Sequence, residues 1–310
     1  MRESSLQSSA LPRHAAGAVR DKLEGSPSMR ALGGLLVFVV AAGASPDVVR
    51  RASALYESTE YQGSLHLLAK DPAPDEANYL LTGKNYFMIG EYKKAVEFFE
   101  KALADSPESS DAELWLGRAW GRRAEKSGWL MAGIHAVKAR QCFERAVALD
   151  PHNHEAKNDL FDFYLNAPSF LGGGIDKAEA LAESIAKERP PEYEFEEAQI
   201  ADRRKDYAAA EAHLRRAMEL APGQAGRIVD LARYLAKRGR LAESDRLFDQ
   251  ARKLAPSMPR VAFAEARVDI ENHRNLALAR GLLQGYLHAS LTPDDPPREE
   301  AEKLLRRAGG

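Results

Sequence analysis

Between Pro191 and Pro256 the apolar positions recur every three or four residues in four successive bursts, each cut off by a short polar or glycine-containing break. The first two bursts lie in PEYEFEEAQIADRRKDYAAAEAHLRRAMELAP, the next two in GQAGRIVDLARYLAKRGRLAESDRLFDQARKLAP. This spacing predicts amphipathic helices, and breaks such as Lys237-Arg238-Gly239 predict tight turns between them. No stretch alternates in the way a half-buried strand would.

The two segments are also copies of one another. Pro222 and Pro256 lie 34 residues apart, and in that register Ala198 matches Ala232, Leu214 matches Phe248, and Ala217 matches Ala251. Small residues such as Ala198 and Ala210 let two antiparallel helices approach, while Leu214 and Phe248 fill the groove towards the next pair. One hairpin cannot bury both of its faces, so its neighbours must complete the core.

The same register extends in both directions. At 76–107 it takes in Tyr79, Gly83, Tyr86, Gly90, Tyr92, Ala95, Phe99, Ala102 and Pro107. A unit at 110–151 starts with Leu116, Gly117 and Trp120, ends with Ala139, Phe143, Ala146 and Pro151, and holds ten extra residues between. A unit at 154–190 holds Leu160 and Tyr164, then about five extra residues in NAPSFLGGGIDKA, before Ala178 and Pro190. A degenerate hairpin at 45–75 precedes them. A looser unit at 259–287 follows, with one residue inserted near Asn275 and a charged amphipathic helix beyond Pro297.

A 34-residue period with small crossing residues and a closing proline resembles the tetratricopeptide repeat, TPR. The resemblance implies an all-α superhelical solenoid over 45–310, with about seven helix-turn-helix units and a C-terminal capping helix. It also implies a binding function, a non-enzymatic scaffold holding a peptide or protein in its concave groove. The extended unit WLGRAWGRRAEKSGWLMAGIHAVKARQCFERAVALD together with FLGGGIDKAEAL is similar to the periplasmic TPR component associated with TRAP transporters. That similarity implies a second function, an accessory component that binds a small molecule for a periplasmic transport system.

In the TPR family the residue after the small crossing residue commonly points into the groove. Here those residues are Lys84, Arg118, Asp162, Gln199, Arg233 and Arg267, and Arg122, Arg203 and Lys237 continue the row a turn further on. The row is mostly basic, so it is read either as a solvated polar face or as a groove for an acidic or carboxylate-bearing partner. Trp115, Trp120 and Trp129 all fall in the enlarged unit, where they serve either packing or a candidate aromatic pocket.

Charge sharpens this picture only slightly. The 310 residues carry 44 basic and 46 acidic side chains, a formal net charge of −2. A nucleic-acid partner would call for a marked basic excess, so none is expected. His152 and His154 form a pair without the third and fourth ligands a metal site needs. Gly172-Gly173-Gly174 lacks the phosphate-loop lysine and follows no strand, which leaves a turn. Cys142 is the sole cysteine and stands beside the packing residue Phe143. No catalytic grouping, metal or cofactor is expected.

Residues 1–44 differ from the rest. Met29-Arg30 is followed by the apolar run 31–42 and by the small residues Ala42-Gly43-Ala44, the parts of a secretory signal peptide cleaved after Ala44. Translation from Met29 and from Met1 both fit this layout. The run is short for a transmembrane helix, so no stable membrane span is expected after cleavage, and the mature chain is expected in the periplasm or outside the cell. No cysteine follows the run to carry a lipid anchor.

Overall fold

The computed structural model describes residues 46–309, which form fifteen α-helices, one 3-10 turn and, among these described residues, no strand. The expected leader, its apolar run and the cleavage site after Ala44 lie outside them.

The helices pair in chain order. The first hairpin is α1 (Pro46–Glu57) with α2 (Tyr61–Leu68), the second α3 (Glu76–Met88) with α4 (Tyr92–Asp105), the third α5 (Ser110–Lys126) with α6 (Trp129–Leu149). Then come α7 (His154–Asn166) with α8 (Ile175–Glu183), α9 (Pro190–Arg203) with α10 (Tyr207–Leu220), and α11 (Ala225–Lys237) with α12 (Leu241–Leu254). The seventh pair is α13 (Pro259–Glu271) with α14 (Leu276–His288), and α15 (Arg298–Gly309) closes the stack.

Helix starts follow local chemistry. Asp75, Ser109, Asn153 and Asp206 each accept a hydrogen bond from the backbone N–H three residues on, satisfying a donor that the first turn leaves open. The residue inserted near Asn275 is accommodated in the turn before α14, where His273 and Asn275 both have positive φ.

The pairs are held by the residues that set the period. Phe99 and Phe143 are buried against the glycines of the facing helix, Gly83 and Gly117. Each core cluster draws on successive pairs. One joins Phe99 of α4, Leu114 and Trp120 of α5, Phe143 of α6 and Leu160 of α7. Another joins Ile228 and Val229 of α11, Phe248 of α12 and Val261 of α13. The last pair finds its missing neighbour in α15, whose Ala301, Leu304 and Ala308 pack with Phe263, Leu283 and Tyr286. This is the nearest-neighbour core of a solenoid.

The extra residues take two forms. In the third pair they lengthen both helices, to 17 residues in α5 and 21 in α6, against 13 and 14 in α3 and α4. In the fourth pair they form the 3-10 turn Ser169–Leu171 and a glycine loop, and α8 is only 9 residues long. No described helix is long and apolar enough to cross a membrane.

Candidate functional site

The first helices of the early pairs, α1, α3, α5 and α7, supply the side chains that line a shared cleft. Trp115 and Arg118 occupy one face of α5 three residues apart, and Asp159 and Asp162 repeat that spacing on α7, as do Glu196 and Gln199 on α9. Residues at this separation are neighbours on a helix surface.

Trp115 is the centre of the strongest constellation. The Lys84 Nζ lies 5.1 Å from its ring centroid and the Arg118 guanidinium 4.7 Å from it, while Phe87 meets it edge-on at 5.4 Å. Arg118 is held by two carboxylates of the next repeat, with Nε donating to Asp159 Oδ2 at 2.6 Å and an ion pair to Glu155 at 2.9 Å. Lys84 has no ion-pair partner within 4 Å among the described residues. Burial pushes its ammonium below the usual lysine range, against the pull of the more distant Asp111 and Glu155. It is a half-buried cation with an aromatic plane beside it and no anion in contact.

These residues form one wall of a cleft of about 860 Å³. The opposite wall comes from the far end of the chain: Arg260 and the segment Pro293–Pro297 face Tyr56, Lys84, Trp115 and Arg118 across it. Asp294 is close enough to Tyr56 to help raise the phenol, after the larger effects of burial and of Tyr61 and Glu57. The superhelix therefore brings its last loop opposite its first three repeats.

The other basic residues of the row are placed differently. Arg122 pairs with Glu125 at 2.6 Å on its own helix and donates to the Tyr92 hydroxyl at 3.3 Å. Lys237 pairs with Asp202 at 2.8 Å, and Arg267 pairs with Glu300 of the capping helix. Arg203 and Arg233 are exposed, and Gln199 is half-buried. Lys84, Arg118, Arg122 and Trp115 thus share one cleft, while Arg203, Arg233, Lys237 and Arg267 lie further along the stack.

Between these groups the inner face is acidic. Asp162 is exposed at its surface, yet the helices crowded around it, followed by the Asp159 charge, push its carboxyl up to about 6. Glu196 is 5% exposed, its Oε2 has no hydrogen-bond partner, and burial followed by the Asp162 charge pushes it up to about 8. Asp230, held by Arg227 at 3.1 Å, is raised by burial as well. Counting the cations of the row passes over the carboxylates Asp159 and Glu196, which stand three residues before it on α7 and α9. The helical spacing alone contains the signal that finds them.

The three tryptophans do not converge. Trp115 faces the cleft, Trp120 is buried against His135 with ring centroids 5.1 Å apart, and Trp129 projects into solvent at the α5–α6 turn. His152 and His154 both face Glu188, at 3.6 and 3.5 Å. Gly172 takes a left-handed conformation, and a Cβ on Gly173 would fall 1.9 Å from the Ala167 carbonyl oxygen, so this triplet is built as a tight turn. Burial, then the neighbouring Glu113 carboxylate, pushes the Cys142 thiol up to about 12, far from the range of a nucleophile.

No family model and no curated protein matches the chain. Solved structures do resemble it. A tetratricopeptide repeat protein from Parabacteroides merdae superposes with a TM-score of 0.56 at 12% identity, over 85% of this chain and 98% of that one. A thermophilic TPR protein from Thermus thermophilus does so with a TM-score of 0.50 at 20% identity, over 61% of this chain and 97% of that one. At this identity the likeness concerns the fold, and with the seven helix pairs and their buried crossing residues it assigns the described part of the chain to the tetratricopeptide-repeat solenoid fold.

Proposed function

We propose that this protein is a non-enzymatic scaffold that holds an extended, carboxylate-bearing segment of a peptide or protein in its concave cleft, outside the cytoplasm. The observation that carries the proposal is Lys84. A half-buried ammonium next to Trp115, without an anion in contact, gains a charge-assisted hydrogen bond when a carboxylate arrives, and the aromatic face supports the aliphatic part of the same ligand. Arg118, already neutralised by Asp159 and Glu155, holds Trp115 in place. The fold favours binding over chemistry, since the solenoid offers a broad inner surface built from repeats.

A second reading is that the cleft takes a small molecule, as a transport accessory would require. Its volume of about 860 Å³ supports this, because small-molecule sites span roughly 300–1,000 Å³. Capture from a native extract at low and high salt, followed by titration with an acidic peptide and with a free dicarboxylate, separates the two. Lys84→Glu and Arg233→Glu are each compared with wild type. Loss of capture in Lys84→Glu, with helicity intact and with the peptide binding better than the dicarboxylate, is the expected outcome. The same partners retained by every variant at both salt concentrations overturn the scaffold reading.

A further inference from the structure

The α5–α6 hairpin extends beyond its neighbours. Its two ends are in register with the other repeats, so the excess residues lie at the turn. Four more residues in α5 than in α3, and seven more in α6 than in α4, carry the turn roughly 6–10 Å outward at about 1.5 Å per residue. The side chains at this turn stand open to solvent.

What it carries is apolar. Trp129 is 83% exposed, Leu130 65%, Met131 47% and Ile134 52%, all in the first turns of α6. The second insertion adds to the same side of the molecule. A Cβ on Gly133 would be 3.7 Å from Leu171, so α6 lies against the 3-10 turn on which Phe170 stands 83% exposed. Two separate insertions thus contribute large exposed apolar side chains to one region, where a surface residue of this kind ordinarily occurs singly.

The tip carries cations and no carboxylate of its own, and the exposed Glu125 that borders it is paired with Arg122. From Lys126 to Phe143, and again from Phe163 to Ile175, the sequence contains no acidic residue. Lys126 and Lys138 are exposed, and the Arg123 guanidinium and Lys138 ammonium lie 4.4 and 4.1 Å from the Trp120 ring beneath the tip. The turn is also fixed in advance. The Ser127 hydroxyl donates to the Arg123 carbonyl at 2.6 Å, which leaves it to accept from His135 Nδ1 at 3.0 Å.

We propose that this tip is a docking spur for an anionic lipid surface, with Trp129, Leu130, Met131, Ile134 and Phe170 entering the interface and Lys126 and Lys138 meeting the headgroups. Tryptophan favours the depth at which an apolar body and a polar edge are both satisfied. Apolar burial and attraction of lysines to anionic headgroups act together in such contacts. The apolar surface alone would equally suit another protein; the exposed Lys126 and Lys138 beneath the tip, with no carboxylate from 126 to 143, favour an anionic membrane.

The test uses the full chain, whose three tryptophans all lie outside residues 1–45. Fluorescence is followed with vesicles of phosphatidylcholine and phosphatidylglycerol carrying brominated acyl chains. Quenching and a blue shift are expected with phosphatidylglycerol and much less without it, and Trp129→Phe should remove the quenched component. Leu130→Ser with Ile134→Ser, both at exposed positions, should weaken vesicle affinity by about tenfold or more while circular dichroism is unchanged. Three results overturn the proposal: sedimentation with vesicles without quenching, quenching that persists in Trp129→Phe or does not depend on phosphatidylglycerol, or a dimer that the double substitution dissociates without any vesicle binding.

Discussion

A Cβ placed on Gly83 would lie 2.4 Å from Cε1 of Phe99, inside the distance at which carbon atoms can coexist. Phe99 is fully buried and belongs to the core that joins the second repeat to the third. Its neighbours on every side are packed. Gly83→Val should therefore cost about 1–3 kcal/mol, the usual range for overpacking, and Gly117→Val, facing Phe143, should behave alike. Lys84→Ala, one residue along, should change stability by about 0.5 kcal/mol or less. Urea unfolding of the three variants is the measurement, and equal losses at 83 and 84 would contradict the placement of both.

Stability should fall as pH rises through neutrality. Glu196 is pushed up to about 8 and Glu265 to about 7, each chiefly by burial. Facing Glu196 are Asp162 from α7, Arg189 at the start of α9, Glu197 on α9 itself and Arg227 from α11. Glu179 and Glu183 of α8 and His213 of α10 act on Glu197 beside it. A raised carboxyl stabilises the folded state least where it is ionised, so folding weakens as pH climbs from its unfolded value through its folded one. Each such group changes stability by at most about 1.4 kcal/mol per pH unit. The melting temperature of the wild type should drop between about pH 4.5 and pH 8, the span from the ordinary glutamate value to the raised value of Glu196, and Glu196→Gln, which keeps the shape without the charge, should flatten the upper part of that curve.

The capping helix closes a core that would otherwise be open. Leu304 is buried in one cluster with Phe263, Leu283 and Tyr286, and the Tyr286 hydroxyl donates to the Pro296 carbonyl just before α15. Leu304→Ala should cost about 2–5 kcal/mol. Removing residues 298–310 should expose the last repeat, detectable as dye binding to apolar surface and a lower melting temperature, while the first repeats keep their helicity because each contacts only its neighbours.

Export makes a simple demand on the N-terminus. If the N-terminal segment 1–44, with its positive flank Met29-Arg30 and apolar run 31–42, acts as a cleaved leader, protein recovered from its native host should begin at or near Ser45 and lie outside the cytoplasm. Full-length protein in the cytosol would end the extracellular part of the proposed function.

The helices and their pairing can be read from the chain because short local rules fix them. Gly83, Ala95 and Phe99 recur at set intervals since two helices can cross only where small and large residues alternate. The charge pattern of the groove cannot be read in the same way. Whether Arg118 is free depends on Asp159 and Glu155, some forty residues away, and their approach is set by the twist between repeats. Trp129 shows the opposite difficulty. Its residue type reads as packing, yet the ten added residues lengthen the helices and lift it off the core. The Pro293–Pro297 loop carries no motif at all, and only the accumulated curvature of the stack brings it opposite Tyr56.

That last relationship turns the whole stack into a caliper. Its jaws, α1 with α3 and α5 on one side and the 293–297 loop on the other, are joined by every intervening repeat, so the gap between them sums the tilt of each interface. A change of packing in the middle of the stack should therefore alter the gap by leverage without touching either jaw. The width of the cleft is thus a property of the spine, and substitutions remote from Lys84 and Trp115 should retune it.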